Sequence, residues 1–314
     1  MPNEAQPMEP QVQWTSRSVG SNFQYNIFYT LIRFGGPKAA YALLYGVALY
    51  YTLFKPELRK KANYYLLRRF ETSHPFKKRL NTFRIYVNLG KALIDKAIFG
   101  IKGKAYIQIR FSEKYTVLDL INERHGLLLL TAHVGCWQAA MSALDFFNTP
   151  VSLLLHQEEG DLDLHYFEHS GGPPPFRIID PLGYLGGVLE MMEVLKKGEI
   201  LCLMGDRALG DEKNTVSVNF LGGSVRFPVS AFKLAAATGA PIAVIFSYKS
   251  GPDSYDLILS GIIRVPRHSG KSLTTLHPYV AQFVETLESY VQQFPFQFFN
   301  FYNMWEGDRE DTFK

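Results

Sequence analysis

The sequence predicts an α/β fold: a central mixed, mostly parallel sheet flanked by helices, preceded by a helical region that faces a membrane. Three observations carry this. Leu127–Leu130 is an apolar run without alternation, the mark of a strand buried on both faces, and helical spacing of Trp137, Met141, Leu144 and Phe147 follows it. Beyond residue 105, short apolar runs alternate with helical stretches, as in sheets covered by helices. Before residue 105 the periodicity is helical and the charge is basic. The organisation read from this is a loose tail over 1–22, a helical, basic, membrane-associating region over 23–104, and an α/β domain over 105–314.

In a chain of 314 residues, 47% hydrophobic and 20% charged residues mark a globular protein. Cys136 and Cys202 are too few for a disulfide framework and point to a reducing compartment. Met1–Gln13 is polar and contains proline, so it reads as a tail and not as a signal peptide. Ala39–Phe54 is uncharged and mostly apolar, bounded by Lys38 and Lys55. Its length falls short of the ~20 residues of a spanning helix. Tyr41, Tyr45, Tyr50 and Tyr51 suit headgroup depth, so an interfacial or part-buried helix is expected here in preference to a full span that would make it a single anchor.

Pro37 opens that helix and Pro56 ends it. A basic helix covers Glu57–Phe70, His74-Pro75 breaks it, and Phe76–Phe99 resumes before Gly100 and Gly103. The net charge of +4 is concentrated here, in Arg59-Lys-Lys, Arg68-Arg69, Lys77-Lys-Arg79, Arg84 and Lys91. Such a surface suits an anionic membrane or an acidic carrier protein, or is simply a solvated face. No nucleic-acid recognition motif accompanies it.

The expected strands are Gly126–Ala132, Val151–Leu155, Phe176–Ile179, Glu199–Met204, Val216–Asn219, Ile242–Ser247 and Tyr255–Ile263. The expected helices are Gly135–Phe147, Leu182–Lys197, Ser230–Thr238 (Ser230 as N-cap, Gly239 beyond the end) and Leu276–Phe294.

His133 falls where the first of these strands hands over to a helix, at the carboxyl edge where α/β sheets bind ligands. With Gln138 five residues on to fix its tautomer, His133 can act as a general base. A second buried strand ends in Gly205-Asp206-Arg207, a pair able to orient a substrate or form an internal ion pair. Gly223-Ser-Val-Arg226-Phe-Pro228 leads into a helix whose N-terminus could hold an anion. His165-Tyr-Phe-Glu168-His169 has the form of one zinc-peptidase motif, although five residues with two fixed types arise easily by chance.

In their order and spacing, Thr131-Ala-His133-Val-Gly135-Cys-Trp137-Gln138, Gly205-Asp206-Arg207, Arg226-Phe-Pro, Thr238-Gly-Ala-Pro and the terminal Phe294-Pro-Phe-Gln297-Phe-Phe-Asn300-Phe-Tyr-Asn-Met-Trp305 resemble the lysophospholipid acyltransferase superfamily. They are most similar to its lipid A biosynthesis (lauroyl/myristoyl) acyltransferase branch. The resemblance implies transfer of a fatty acyl chain from an acyl carrier protein or coenzyme A thioester to a lipid hydroxyl or amine. His133 would be the base, no bound cofactor or metal would be needed, and the protein would sit on the cytoplasmic face of the bacterial inner membrane. It also implies an apolar groove near His133 for the chain. Asp206, Arg207, Arg226, Gly135 and Trp137 become candidate substrate-binding residues, with Arg207 or backbone N–H groups facing the oxyanion. One position departs from the pattern: Gln138 stands where the family carries Asp or Glu. A glutamine can accept from the ring but cannot stabilise an imidazolium by charge. Either Gln138 suffices, or another carboxylate, Asp206 first, takes the role, or the protein binds lipid or acyl carrier protein without turnover.

Overall fold

The computed structural model describes residues 22–71, 74–156, 176–207, 212–267, 269 and 272–306. Almost all of the expected tail, and all of the His165, Glu168 and His169 motif, lie outside the described residues.

The chain opens with α1 (Asn22–Thr30), a π-helical turn (Leu31–Gly35), α2 (Gly36–Phe54), α3 (Pro56–Phe70) and α4 (Pro75–Lys102). Prolines stand in the first turns of α2, α3 and α4, where their missing N–H is not needed. Pro56 therefore begins a helix as well as ending one, and α4 runs on through Gly100 to Gly103. On α2, Ala40, Leu44, Ala48 and Thr52 are buried at a spacing of four, one face of a helix. That face meets α4 closely: a Cβ at Gly90 would lie 2.1 Å from Leu44 Cδ1. The opposite face leaves Leu49, Tyr50, Leu53 and Phe54 exposed. Among the described residues, no helix is long and apolar enough to cross a membrane.

One expectation for this region is corrected. Tyr41 turns inward and donates its hydroxyl to Asp95, so it does not face a headgroup layer. Some of the basic residues have partners within the protein. Arg59 donates to the carbonyls of Thr52 and Leu53 at the end of α2, both at 2.9 Å, and Arg84 and Lys91 lie over the rings of Phe296 and Tyr45.

The α/β part contains β1 (Gln108–Phe111), α5 (Lys114–Asn122), β2 (Leu127–Thr131), α6 (Trp137–Leu144), β3 (Val151–Leu154), β4 (Arg177–Ile179), α7 (Val188–Lys196), β5 (Ile200–Met204), β6 (Thr215–Phe220), β7 (Gly223–Pro228), α8 (Ser230–Thr238), β8 (Ile242–Gly251), β9 (Ser254–Ile263) and α9 (Leu273–Gln293). Seven strands form one sheet in the order β1-β9-β8-β2-β5-β3-β4. All neighbours are parallel except β8 and β9. The fold is thus mixed α/β and mostly parallel, with Leu127, Leu128, Leu130, Ile200 and Leu201 almost fully buried at its centre. Strands β6 and β7 form a separate antiparallel hairpin.

The sequence does not signal β1, α5 or β7 by length. β7 alternates, with Val225 and Phe227 buried between exposed Ser224 and Arg226, and that pattern was open to a period-two reading. α7 begins at Val188 and not at Leu182, because Leu185, Gly186 and Gly187 have left-handed φ values of 51°, 64° and 69°. Ser230 is the first residue of α8 and not its cap: Val229 is the N-cap and no side chain bonds there. Gly239, at φ 81°, ends the helix as expected.

Candidate functional site

The site follows from strand register. β2 and β5 are parallel, and Thr131 pairs with Met204. Two residues beyond each, the chain presents His133 and Asp206. Equal offsets from paired residues keep side chains on the same row, and neighbouring strands lie ~4.8 Å apart. The ladder continues past the strand ends, since Gly205 N–H donates to the Thr131 carbonyl at 2.8 Å. His133 Nδ1 consequently meets both oxygens of Asp206, at 2.9 and 3.0 Å. The histidine side chain is 25% exposed and the carboxylate 1%.

Burial pushes the Asp206 carboxyl up. The facing His133 ring, its hydrogen bonds and the Arg207 guanidinium outweigh that and hold it below the ordinary carboxylate range. The acid is therefore an anion at neutral pH, and Nδ1 of the ring is the donor. This leaves Nε2 as the atom able to take a proton.

The loop after His133 is held by its backbone. Gly135 has φ +53°, and a Cβ there would lie 2.0 Å from the Ser247 carbonyl oxygen on β8. Only glycine fits both demands. A strap at the C-terminus runs antiparallel beside this loop, bridging Val134 to Phe298. Gly135 N–H donates to the Gln297 carbonyl at 2.9 Å, and Phe299 N–H donates to the His133 carbonyl at 2.8 Å. Cys136 N–H donates to Ser247 Oγ at 3.0 Å. The N–H groups of Gly135 and Cys136, and that of Val134 bonded to the Ala132 carbonyl, thus all have partners within the protein.

The remaining candidates separate. Gln138 is 1% exposed, and its carbonyl oxygen accepts from Cys136 Sγ at 3.4 Å. The Cys136 thiol is pushed up by burial to about 11, which leaves it a poor nucleophile. Trp137 begins α6 and packs edge-on against Phe176. Arg207 is buried, donates from Nη2 to the Phe299 carbonyl at 2.6 Å, and lies over the Tyr302 ring. Its Nε is 3.7 Å from Asp206. It both anchors the strap and places a permanent cation beside the dyad. Arg226 lies apart, on the β6–β7 hairpin, where it pairs with Glu306. A cavity of about 370 Å³, lined by Met141, Leu144 and Phe176 but also by Asp145, Asn148 and Thr149, opens at the end of α6 and includes none of the candidate site residues.

Sequence reasoning assigned no role to Ser247, Lys249 or the side chain of Gln297, which form the platform under the loop. Their signal was weak: a polar Ser-Tyr-Lys-Ser stretch at the end of an apolar strand.

A histidine–carboxylate dyad on the carboxyl edge of an α/β sheet, with a helical region in front, can abstract a proton from an acceptor. No curated protein matches the chain. The family model described as bacterial lipid A biosynthesis acyltransferase matches residues 9–306, from before the helical layer to the end of the strap, and the chain belongs to that family.

Proposed function

We propose that this protein transfers a fatty acyl group from an acyl thioester, carried by acyl carrier protein or coenzyme A, to a hydroxyl or amine of a lipid A precursor or related lipid at the membrane surface, with His133 as general base. The observation that carries this reading is the His133 Nδ1 contact with both oxygens of the buried Asp206 carboxylate.

The chemistry follows from that contact. Asp206 fixes the tautomer with the proton on Nδ1 and stabilises the imidazolium as it forms. His133 Nε2 takes the proton from the acceptor, whose oxygen or nitrogen attacks the thioester carbonyl carbon. The tetrahedral intermediate collapses, the C–S bond breaks, and the thiolate takes the proton back from Nε2. No covalent intermediate with the protein is required, and Cys136 plays no part. Arg207 is the cation beside the dyad that can stabilise negative charge on the carbonyl oxygen.

The exposed face of α2, with Leu49, Tyr50, Leu53 and Phe54 beside Lys55, supports docking at a bilayer interface. Attachment at the cytoplasmic face of the membrane is the localisation this reading entails.

The test is acyl transfer by the purified protein in phospholipid vesicles, with labelled acyl carrier protein and coenzyme A thioesters compared as donors. His133→Ala is expected to lower the rate by at least about 10³-fold with the fold intact. A folded His133→Ala protein with wild-type transfer would overturn the mechanism. Lipid binding with no turnover in the wild type would leave only a binding protein.

A further inference from the structure

We propose that Lys249 and Asp95 form a positioning pair that holds the His133 loop in register with Asp206. The inference rests on His133 as the reacting base, but its geometry stands apart from that reading.

Asp95 lies on α4 and is fully buried. It accepts from Lys249 Nζ at 2.7 Å and from the hydroxyls of Tyr41 on α2 and Tyr255 on β9. Lys249 Nζ also donates to the Pro252 carbonyl at 2.9 Å. One ion pair therefore joins two helices of the N-terminal layer to two strands of the sheet. Replacing such a buried pair by apolar side chains is often neutral or stabilising, so stability alone does not account for it. A geometric role does.

Lys249 sits where the ladder needs support. The β8–β9 register shifts between Lys249 and Gly251, and an irregularity of this kind interrupts regular strand pairing. The side-chain bond to Asp95 holds the strand at the point where ladder bonds are disturbed. From there the contacts lead to His133 in two short routes. Along the first, Lys249 N–H donates to Gln297 Oε1 at 2.7 Å, and Gln297 Nε2 donates back to the Lys249 carbonyl at 3.3 Å. The Gln297 carbonyl then accepts from Gly135 N–H. Along the second, Ser247, two residues earlier on β8, exchanges hydrogen bonds with Cys136 through its Oγ. Both routes end on residues within three of His133. A shift of β8 at Lys249 would move the loop and strap together, and a displacement of ~1 Å at a reacting group can cost about 10²-fold in rate.

The experiment separates positioning from stability. In the double variant Lys249→Met/Asp95→Leu both charges are removed together. Three quantities are measured: the thermal midpoint, kcat and KM for the acyl donor, and the proton resonance of His133 Nδ1–H, assigned by its absence in His133→Ala. The expected result is a folded protein with a lowered midpoint, because the hydroxyls of Tyr41 and Tyr255 lose their acceptor, with kcat lowered about 10- to 100-fold at unchanged KM and a shifted or exchange-broadened resonance. A double variant with wild-type kcat and an unmoved resonance would show that the pair serves folding only, and would overturn the proposal. Should the double variant not fold, Gln297→Leu cuts the first route while leaving the ion pair in place. Its expected effect is the same shift of the resonance with a lower kcat, and an unmoved resonance again overturns the proposal. The His133→Ala assay judges the base separately: if that variant is active, the mechanism falls, while the resonance still reports whether the pair positions the ring.

Discussion

Two histidine–aspartate pairs stand side by side on one edge of the sheet. His133 and Asp206 follow β2 and β5; His156 and Asp180 follow β3 and β4, whose ends are also paired in parallel register, Leu154 with Ile179. The histidines are almost equally exposed, at 25% and 28%. The acids are not: Asp206 is 1% exposed and Asp180 is 55%. Asp206 gives both oxygens to its ring, whereas Asp180 Oδ1 is 3.1 Å from His156 Nδ1 and also accepts from Leu182 N–H. Parallel strands readily bring such residues together. Burial of the carboxylate distinguishes the first pair, because an interaction of charges that is large in a dry setting is screened at a wet surface.

The sharpest way to break this contrast is to make the same change in both acids. Asp206→Asn should lower kcat by about 10³- to 10⁴-fold, the scale seen when an amide replaces the carboxylate of a serine-protease triad and the histidine takes the wrong tautomer. Asp180→Asn should change kcat less than about threefold. Equal effects would show that burial is not what separates the pairs. Next in size is Gly135→Ala, which forces a Cβ onto the Ser247 carbonyl at a left-handed φ. It should destabilise the protein by about 2–4 kcal/mol, read from the denaturation midpoint, and lower kcat in whatever fraction folds. His156→Ala should leave both quantities nearly unchanged.

Much of this edge was legible from residue order. His133 after Leu127–Leu130 and Asp206 after Ile200–Met204 stand at matched offsets, so the dyad could be read once the two strands were taken as parallel neighbours. The sheet centre was legible for the same reason, since a strand buried on both faces must be continuously apolar. The partnership of Gln138 was not. Spacing places it on the first turn of α6, but only packing shows its carbonyl directed at Cys136. Nor could spacing reveal Lys249, whose ammonium finds a carboxylate 154 residues away. Long-range polar contacts leave no local period. Tyr41 shows the same limit: an aromatic on an apolar helix reads as interfacial until a buried acid on α4 claims its hydroxyl.

A third acid sharpens the contrast with the smallest expected effect. Glu306 is drawn down from its ordinary range to about 2 by hydrogen bonds from Ser224, Arg226 and Ser217. It is one-third exposed and its partners lie on the β6–β7 hairpin, away from His133. A depressed carboxyl stabilises the fold fully above its unfolded value near 4.5, and that contribution is lost as pH falls through about 2. Solvent screening keeps the contribution modest despite the size of the shift. Glu306→Gln should therefore leave acyl transfer at neutral pH within about twofold of wild type and lower the thermal midpoint slightly at pH 7. The difference in midpoint should shrink as the pH is lowered from 4.5 towards 2. A gap that stays constant with pH would mean that Glu306 acts through packing and not through its charge. A large loss of transfer at pH 7 would bring Arg226 and its hairpin into the reaction, and would show that burial of the carboxylate does not by itself mark the acid on which transfer depends.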